Sequence, residues 1–155
     1  MQAASPARLY AAAGGAFLVA LGIVGFFYSA SFGSPGAVEA ALGVLRVNAW
    51  LNLLYVLAGA LGLLAAASAP RAYALAMGLF FTGLAIWGWS LDGAEAILGF
   101  LPAAAGDEVL NLTIGVLGLL AAAGTPRPGR GAHERGARAG GSPSEPRANP
   151  ARQRP

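Results

Sequence analysis

Cysteine and lysine are both missing from the 155 residues, and histidine occurs once, as His133. Without a thiol there is no disulfide framework, no thiolate nucleophile and no sulfur-ligated metal. A single histidine in a hydrophilic stretch removes the usual general base, and no two metal ligands recur at a useful spacing. The expectation is a non-enzymatic chain with no cofactor and no metal. Charge is scarce as well, at 11% of residues against roughly a quarter in an ordinary soluble domain. Residues 9–38, 47–70, 72–91 and 109–126 contain no Asp, Glu, Lys, Arg or His. A bilayer-spanning helix needs about 20 mostly apolar residues. Four such stretches exclude a soluble globular domain and predict an all-α membrane protein of four transmembrane helices.

What is present fits that reading. Hydrophobic residues make up 56% of the chain, and every one of its ten cations is arginine. Arginine-only basic usage with abundant Ala, Gly and Pro is the signature of a GC-rich bacterial genome. After a short polar N-terminus, residues 1–8, the predicted spans run over about 9–32, 47–67, 73–91 and 109–123. Tyr28-Ser29-Ala30 resembles a signal-peptide cleavage site, but the apolar run before it exceeds the roughly 7 to 15 residues of a signal core, so a retained helix is expected. Gly33-Ser34-Pro35-Gly36 reads as a turn. Ala37 to Arg46 is too short to cross and reads as an interfacial helix or a packed loop. Trp87 and Trp89 close the third span as a membrane-surface aromatic belt would. The fourth span is the shortest; about 15 residues at about 1.5 Å each would need help from its flanks or a thinned bilayer. Residues 127–155, rich in Arg, Gly and Pro, cannot build a core and are expected to be a disordered tail.

The chain resembles itself. EAALGVL (Glu39–Leu45) returns as EAILGFL (Glu95–Leu101), and GLLAAASAPR (Gly62–Arg71) as GLLAAAGTPR (Gly118–Arg127), both 56 positions later. Leu51-Asn52-Leu53 returns as Leu110-Asn111-Leu112 at an offset of 59. Three matches in one order imply a tandem duplication of a two-helix unit, with both copies in the same orientation. Arg8, Arg71 and the arginines of the tail fall on one side of a four-span arrangement. The other side holds Arg46 with Glu39, Asp92, Glu95, Asp107 and Glu108. The positive-inside rule then places both termini in the cytoplasm and the chain in the plasma membrane as a multi-pass protein.

The spans offer few candidate functional residues. Asn48 and Asn52, four apart, would share a face at the outer end of the second helix, with Asn111 in the corresponding place in the fourth. They would either line a small polar cavity or join helices by hydrogen bonds of about 1 kcal/mol each, and the second use is favoured. Small residues recur every fourth position as Ala58, Gly62 and Ala66, as Ala74, Gly78 and Thr82, and as Gly118 and Ala122, which suits close helix packing. Asp92, Glu95, Asp107 and Glu108 read as solvated loop ends rather than a cation site, and Asp107-Glu108 also suits a helix N-terminus. The arginine-rich tail suits anionic lipid headgroups at about 1 kcal/mol per basic residue near the surface. It has no aromatic on which a base could stack, so no nucleic acid is expected. The implied partners are the lipid bilayer and a second copy of the chain, met through the small-residue faces.

These residues carry a resemblance. LGIVGF in the first span, NAWLNLLYVLAGALGLLAA in the second, the Trp-rich end of the third and DEVLNLTIGVLGLLAA in the fourth resemble the actinobacterial membrane proteins of the domain-of-unknown-function family DUF4383, over about Ala7 to Arg127. The resemblance implies a four-helix membrane protein without an assigned activity. That family typically has histidine where this chain has Asn52 and Asn111, so imidazole chemistry does not carry over. The function expected is a structural or interaction role in the membrane. The alternative is a small transporter or channel subunit for a neutral solute, with Asn52 and Asn111 lining its pathway.

Overall fold

Each apolar stretch becomes a helix, and simple capping chemistry sets where most of them begin. The structure, a computed structural model, describes residues 4–32, 39–41, 45–91, 97–99, 101 and 104–126. Helix α1 is Pro6–Tyr28. Ser5 precedes it in extended backbone and its hydroxyl accepts the Arg8 N–H at 3.3 Å, while Pro6 takes the first turn, where no N–H is needed. One turn of α1, Tyr10–Gly14, is widened to π-helical geometry. Helix α2, Ala49–Ser68, is capped by Asn48, and Ala69 alone separates it from α3, Pro70–Ser90, which again opens on proline. Helix α4, Ala105–Ala123, carries Asp107 and Glu108 in its first turn, where unpaired backbone amides favour negative charge. All four are long and apolar enough to cross a membrane.

Two expectations need correction. The fourth helix begins four residues before the expected Val109, because acids stabilise a helix N-terminus rather than ending the helix. Its 19 residues reach about 28 Å at about 1.5 Å each, close to a bilayer core without thinning. The segment before α2, expected as an interfacial helix or a packed loop, is strand rather than helix where it is described. Glu39–Ala41 (β1) and Leu45–Val47 (β2) pair antiparallel, with Glu39 opposite Val47 and Ala41 opposite Leu45. A smaller pairing, Ile97 with Leu101, lies between α3 and α4. The expected turn at Gly33–Gly36, the acids Asp92 and Glu95, and the tail 127–155 lie outside the described residues.

Helix α1 packs along α2 and α3 along α4, while α2 and α3 touch much less. Glycine makes the close approach possible. A Cβ on Gly59 would stand 2.5 Å from the Gly15 carbonyl oxygen, and one on Gly118 would stand 2.8 Å from that of Ala74. Lipid supplies no hydrophobic force between helices, so this backbone proximity and its dispersion contacts hold each pair together. Between the pairs lie Leu18, Tyr55, Phe81, Leu84 and Ile114, all buried, with the Tyr55 and Phe81 rings stacked at 6.3 Å. Two tyrosines then cross the bundle in opposite senses. The Tyr10 hydroxyl donates to the Ile114 carbonyl at 3.1 Å, and the Tyr73 hydroxyl donates to the Ala58 carbonyl at 2.9 Å. At the same end the Ala7 N–H donates to Thr125 Oγ1 at 2.9 Å and Arg71 Nε donates to the Thr125 carbonyl at 3.1 Å. We call this the arginine end, and the end bearing β1, β2 and the start of α4 the acidic end. Large apolar side chains cover the outside, Phe27 being 85% and Leu64 73% exposed, which suits lipid and not water.

Candidate functional site

One helical turn inside the acidic end, polar side chains from α2 and α4 meet in an otherwise apolar bundle. Helix periodicity puts Asn52 and Tyr55 on one face of α2, and Glu108 and Asn111 on one face of α4. The Tyr55 hydroxyl donates to Asn111 Oδ1 at 3.4 Å, a long bond that joins the two helices. Asn52 is fully buried and its Nδ2 donates to the Ser29 carbonyl at 2.9 Å, tying α2 to the end of α1. Its Oδ1 lies against Gly25 and has no hydrogen-bond partner among the described residues. Asp107, 1% exposed, accepts the Arg46 backbone N–H on both carboxylate oxygens at 3.2 Å. That contact fastens β2 to α4. Glu108, 2% exposed, packs its carboxylate onto Gly88 of α3, and neither oxygen has a hydrogen-bond partner among the described residues.

Asp107 and Glu108 are therefore not solvated loop ends. The start of α4 draws them into the helix, where Arg46 of β2 meets Asp107 and Gly88 of α3 lies against Glu108. Asn48 also departs from expectation. It stands before α2 in extended backbone, with its side chain accepting the Leu51 N–H at 2.8 Å, so it caps the helix and does not share a helical face with Asn52. Nor does the structure bring Asn52 onto Asn111; Tyr55 is the residue that reaches Asn111. The sequence contains the sign of this. An offset of 56, the one the two longer matches share, pairs Tyr55 with Asn111 and Asn52 with Glu108.

Of the small residues, Ala58, Gly62, Ala74, Gly78, Gly118 and Ala122 are buried between helices, while Ala66 and Thr82 are partly covered. These positions serve packing within the chain. The glycines that allow the closest backbone approach, Gly15 and Gly59, escape a four-residue spacing rule because their contact runs between helices. Tyr10 and Tyr73 were equally silent, although Arg8-Leu9-Tyr10-Ala11 and Arg71-Ala72-Tyr73-Ala74 share three of four residues.

An open recess of about 270 Å³ lies between α2 and α3, lined by Trp50, Leu54, Leu57, Phe80, Leu84 and Leu101 among others. Neither Asn52 nor Asn111 lines it. Among the described residues no three His, Cys, Asp or Glu side chains come together. What the arrangement offers chemically is a surplus of buried oxygen acceptors at the acidic end, with few donors to meet them.

The family described as Domain of unknown function (DUF4383) matches residues 8–124. No curated protein and no solved structure matches.

Proposed function

Since the chain belongs to the DUF4383 family, a domain of unknown function, we propose on physical grounds that it is a non-enzymatic structural or interaction protein of the bacterial plasma membrane. The observation that carries the reading is the use of the polar residues within the spans. Asn52 and Asn111 accept or donate hydrogen bonds between helices, and the small residues pack backbone against backbone. No polar lining is left for the recess, which is apolar. Self-association then has to use a surface other than the small-residue faces, since those are buried inside one chain.

The architecture in this proposal is a tandem duplication of a two-helix unit. Reciprocal bonds support it: Tyr10 and Tyr73 are 63 positions apart, their acceptors Ala58 and Ile114 are 56 apart, and each tyrosine reaches the carbonyl of the other half. Both termini lie in the cytoplasm, as the excess of arginine at one end requires. The tail associates with anionic headgroups by charge alone. An actinobacterial origin agrees with the arginine-only composition.

A proteoliposome flux assay tests the functional reading. Neutral solutes should cross no faster than in empty liposomes. Passage that disappears in the Asn52→Leu and Asn111→Leu variants, with helicity intact, would replace the proposal with the transporter alternative. Deletion after Thr125 should leave membrane insertion unchanged; an inverted topology would show that the tail arginines are needed to set orientation.

A further inference from the structure

Helices α2 and α3 are joined by Ala69 alone at the arginine end, yet they touch little. Toward the acidic end the recess of about 270 Å³ lies between them. Leu84 and Leu101 line it from the buried core, while Trp50, Leu57, Phe80 and Leu98 form a rim that is 39 to 62% exposed. The rim residues also belong to the apolar outer surface of helices fit to cross a membrane, so the recess is continuous with the face that meets lipid. Every described residue lining it is Leu, Phe or Trp. A trapped water needs two or more polar partners, which leucine and phenylalanine cannot supply.

A helix from a second copy fits the recess poorly. Helices in lipid associate where small residues let backbones approach, and none of the described lining residues is Gly, Ala, Ser or Thr. A slender apolar chain fits by length. From Trp50 to Leu57 the recess follows α2 for about 10 Å, at about 1.5 Å per residue, beginning at the second residue of the helix. One leaflet supplies about 15 Å of hydrocarbon, half of a bilayer core of about 30 Å. An acyl chain entering beside Trp50, where an indole suits the headgroup level, therefore runs most of its depth inside the recess. The turn above carries an independent sign. Between the paired Ile97 and Leu101, Leu98 has φ of +55° and Gly99 of +78°. Glycine adopts that left-handed region freely, whereas a bulky side chain there is an outlier. Leu98 is 62% exposed while Ile97 and Leu101 are buried, so core packing does not account for its position. A wall for an apolar occupant does.

We propose that the recess between α2 and α3 binds one acyl chain of a phospholipid from the leaflet at the acidic end, with Leu98 as a wall of the site. The bound chain fills the space between two helices that make few contacts of their own. The site stands apart from the buried asparagines and is the same whether the protein's role is structural or transport.

Photolabelling tests this. The full chain is reconstituted in phosphatidylcholine vesicles containing a trace of phosphatidylcholine with a diazirine in mid-chain, and adducts are mapped by mass spectrometry after illumination. The expected result is an excess of adducts at Leu57, Phe80 and Leu84 over Ile23 and Val109, which are exposed in the same leaflet on α1 and α4. Leu57→Trp, which plugs the recess, should abolish that excess and leave the labelling of Ile23 and Val109 unchanged. Leu98→Gly removes the wall and relaxes the backbone, so it should reduce the excess without lowering the melting temperature. Labelling spread evenly over all exposed faces, or an excess that persists in both variants, would overturn the site. So would a recess shielded from the label and crosslinked to a second copy, which would assign the groove to protein. Should Leu57→Trp fail to fold, Leu98→Gly decides the matter alone.

Discussion

At Asn48 the amide oxygen occupies one of the N–H groups that the first turn of α2 leaves open, and it does so 1% exposed, away from competing water. Asn48→Ala should therefore lower stability by about 1 kcal/mol, within about 0.5 to 2, while Asn48→Asp keeps the cap. Thermal unfolding in detergent checks both. The change should leave Asn52 in place, because Asn52 is held separately by the Ser29 carbonyl. The sequence identified these asparagines as the polar residues that matter but not what each one does. Spacing places two residues on one helical face only if both are helical, and the residue before a helix is the one most often an amide or hydroxyl. The burial of Glu108 was hidden for a related reason. The helix N-terminus that suits Asp107 and Glu108 accounts for acids in a first turn, but it does not say that they face the bundle rather than solvent.

Between elements, glycine positions separate contacts that hold helices together from those that do not. On Gly59 a methyl group would stand 2.5 Å from the Gly15 oxygen and 2.6 Å from the Val19 nitrogen, both of them backbone atoms that cannot rotate away. Gly59→Ala should push α1 and α2 apart and destabilise by about 1–3 kcal/mol. Gly83 of α3 faces open space, with nothing within 4 Å, so Gly83→Ala should be neutral or stabilise by up to about 1 kcal/mol through helix propensity. A pair of melting curves compares them. The crossed tyrosine bonds allow a second test. Tyr10→Phe and Tyr73→Phe should each weaken the bundle by about 0.6 kcal/mol, the average for hydrogen bonds between membrane helices. Their 6.1 Å ring separation places them close enough for the double variant to depart from additivity. Four helices were legible from charge-free runs alone. The pairing of α1 with α2 and α3 with α4 was legible only as a repeat, since apolar sequence carries little information about which face meets which helix.

For the whole molecule the claim is that the chain crosses a bilayer four times, with its arginine end on one side and its acidic end on the other. The absence of native cysteine makes this directly measurable. Single cysteines at Ser5, Ser68 and Gly124 belong to the arginine end, and those at Ser31 and Leu98 to the acidic end. In intact cells a membrane-impermeant maleimide should label the Ser31 and Leu98 variants and spare the other three, and inverted vesicles should give the opposite pattern. Labelling of all five from one side, or recovery of the unlabelled chain in solution without detergent, would contradict the account.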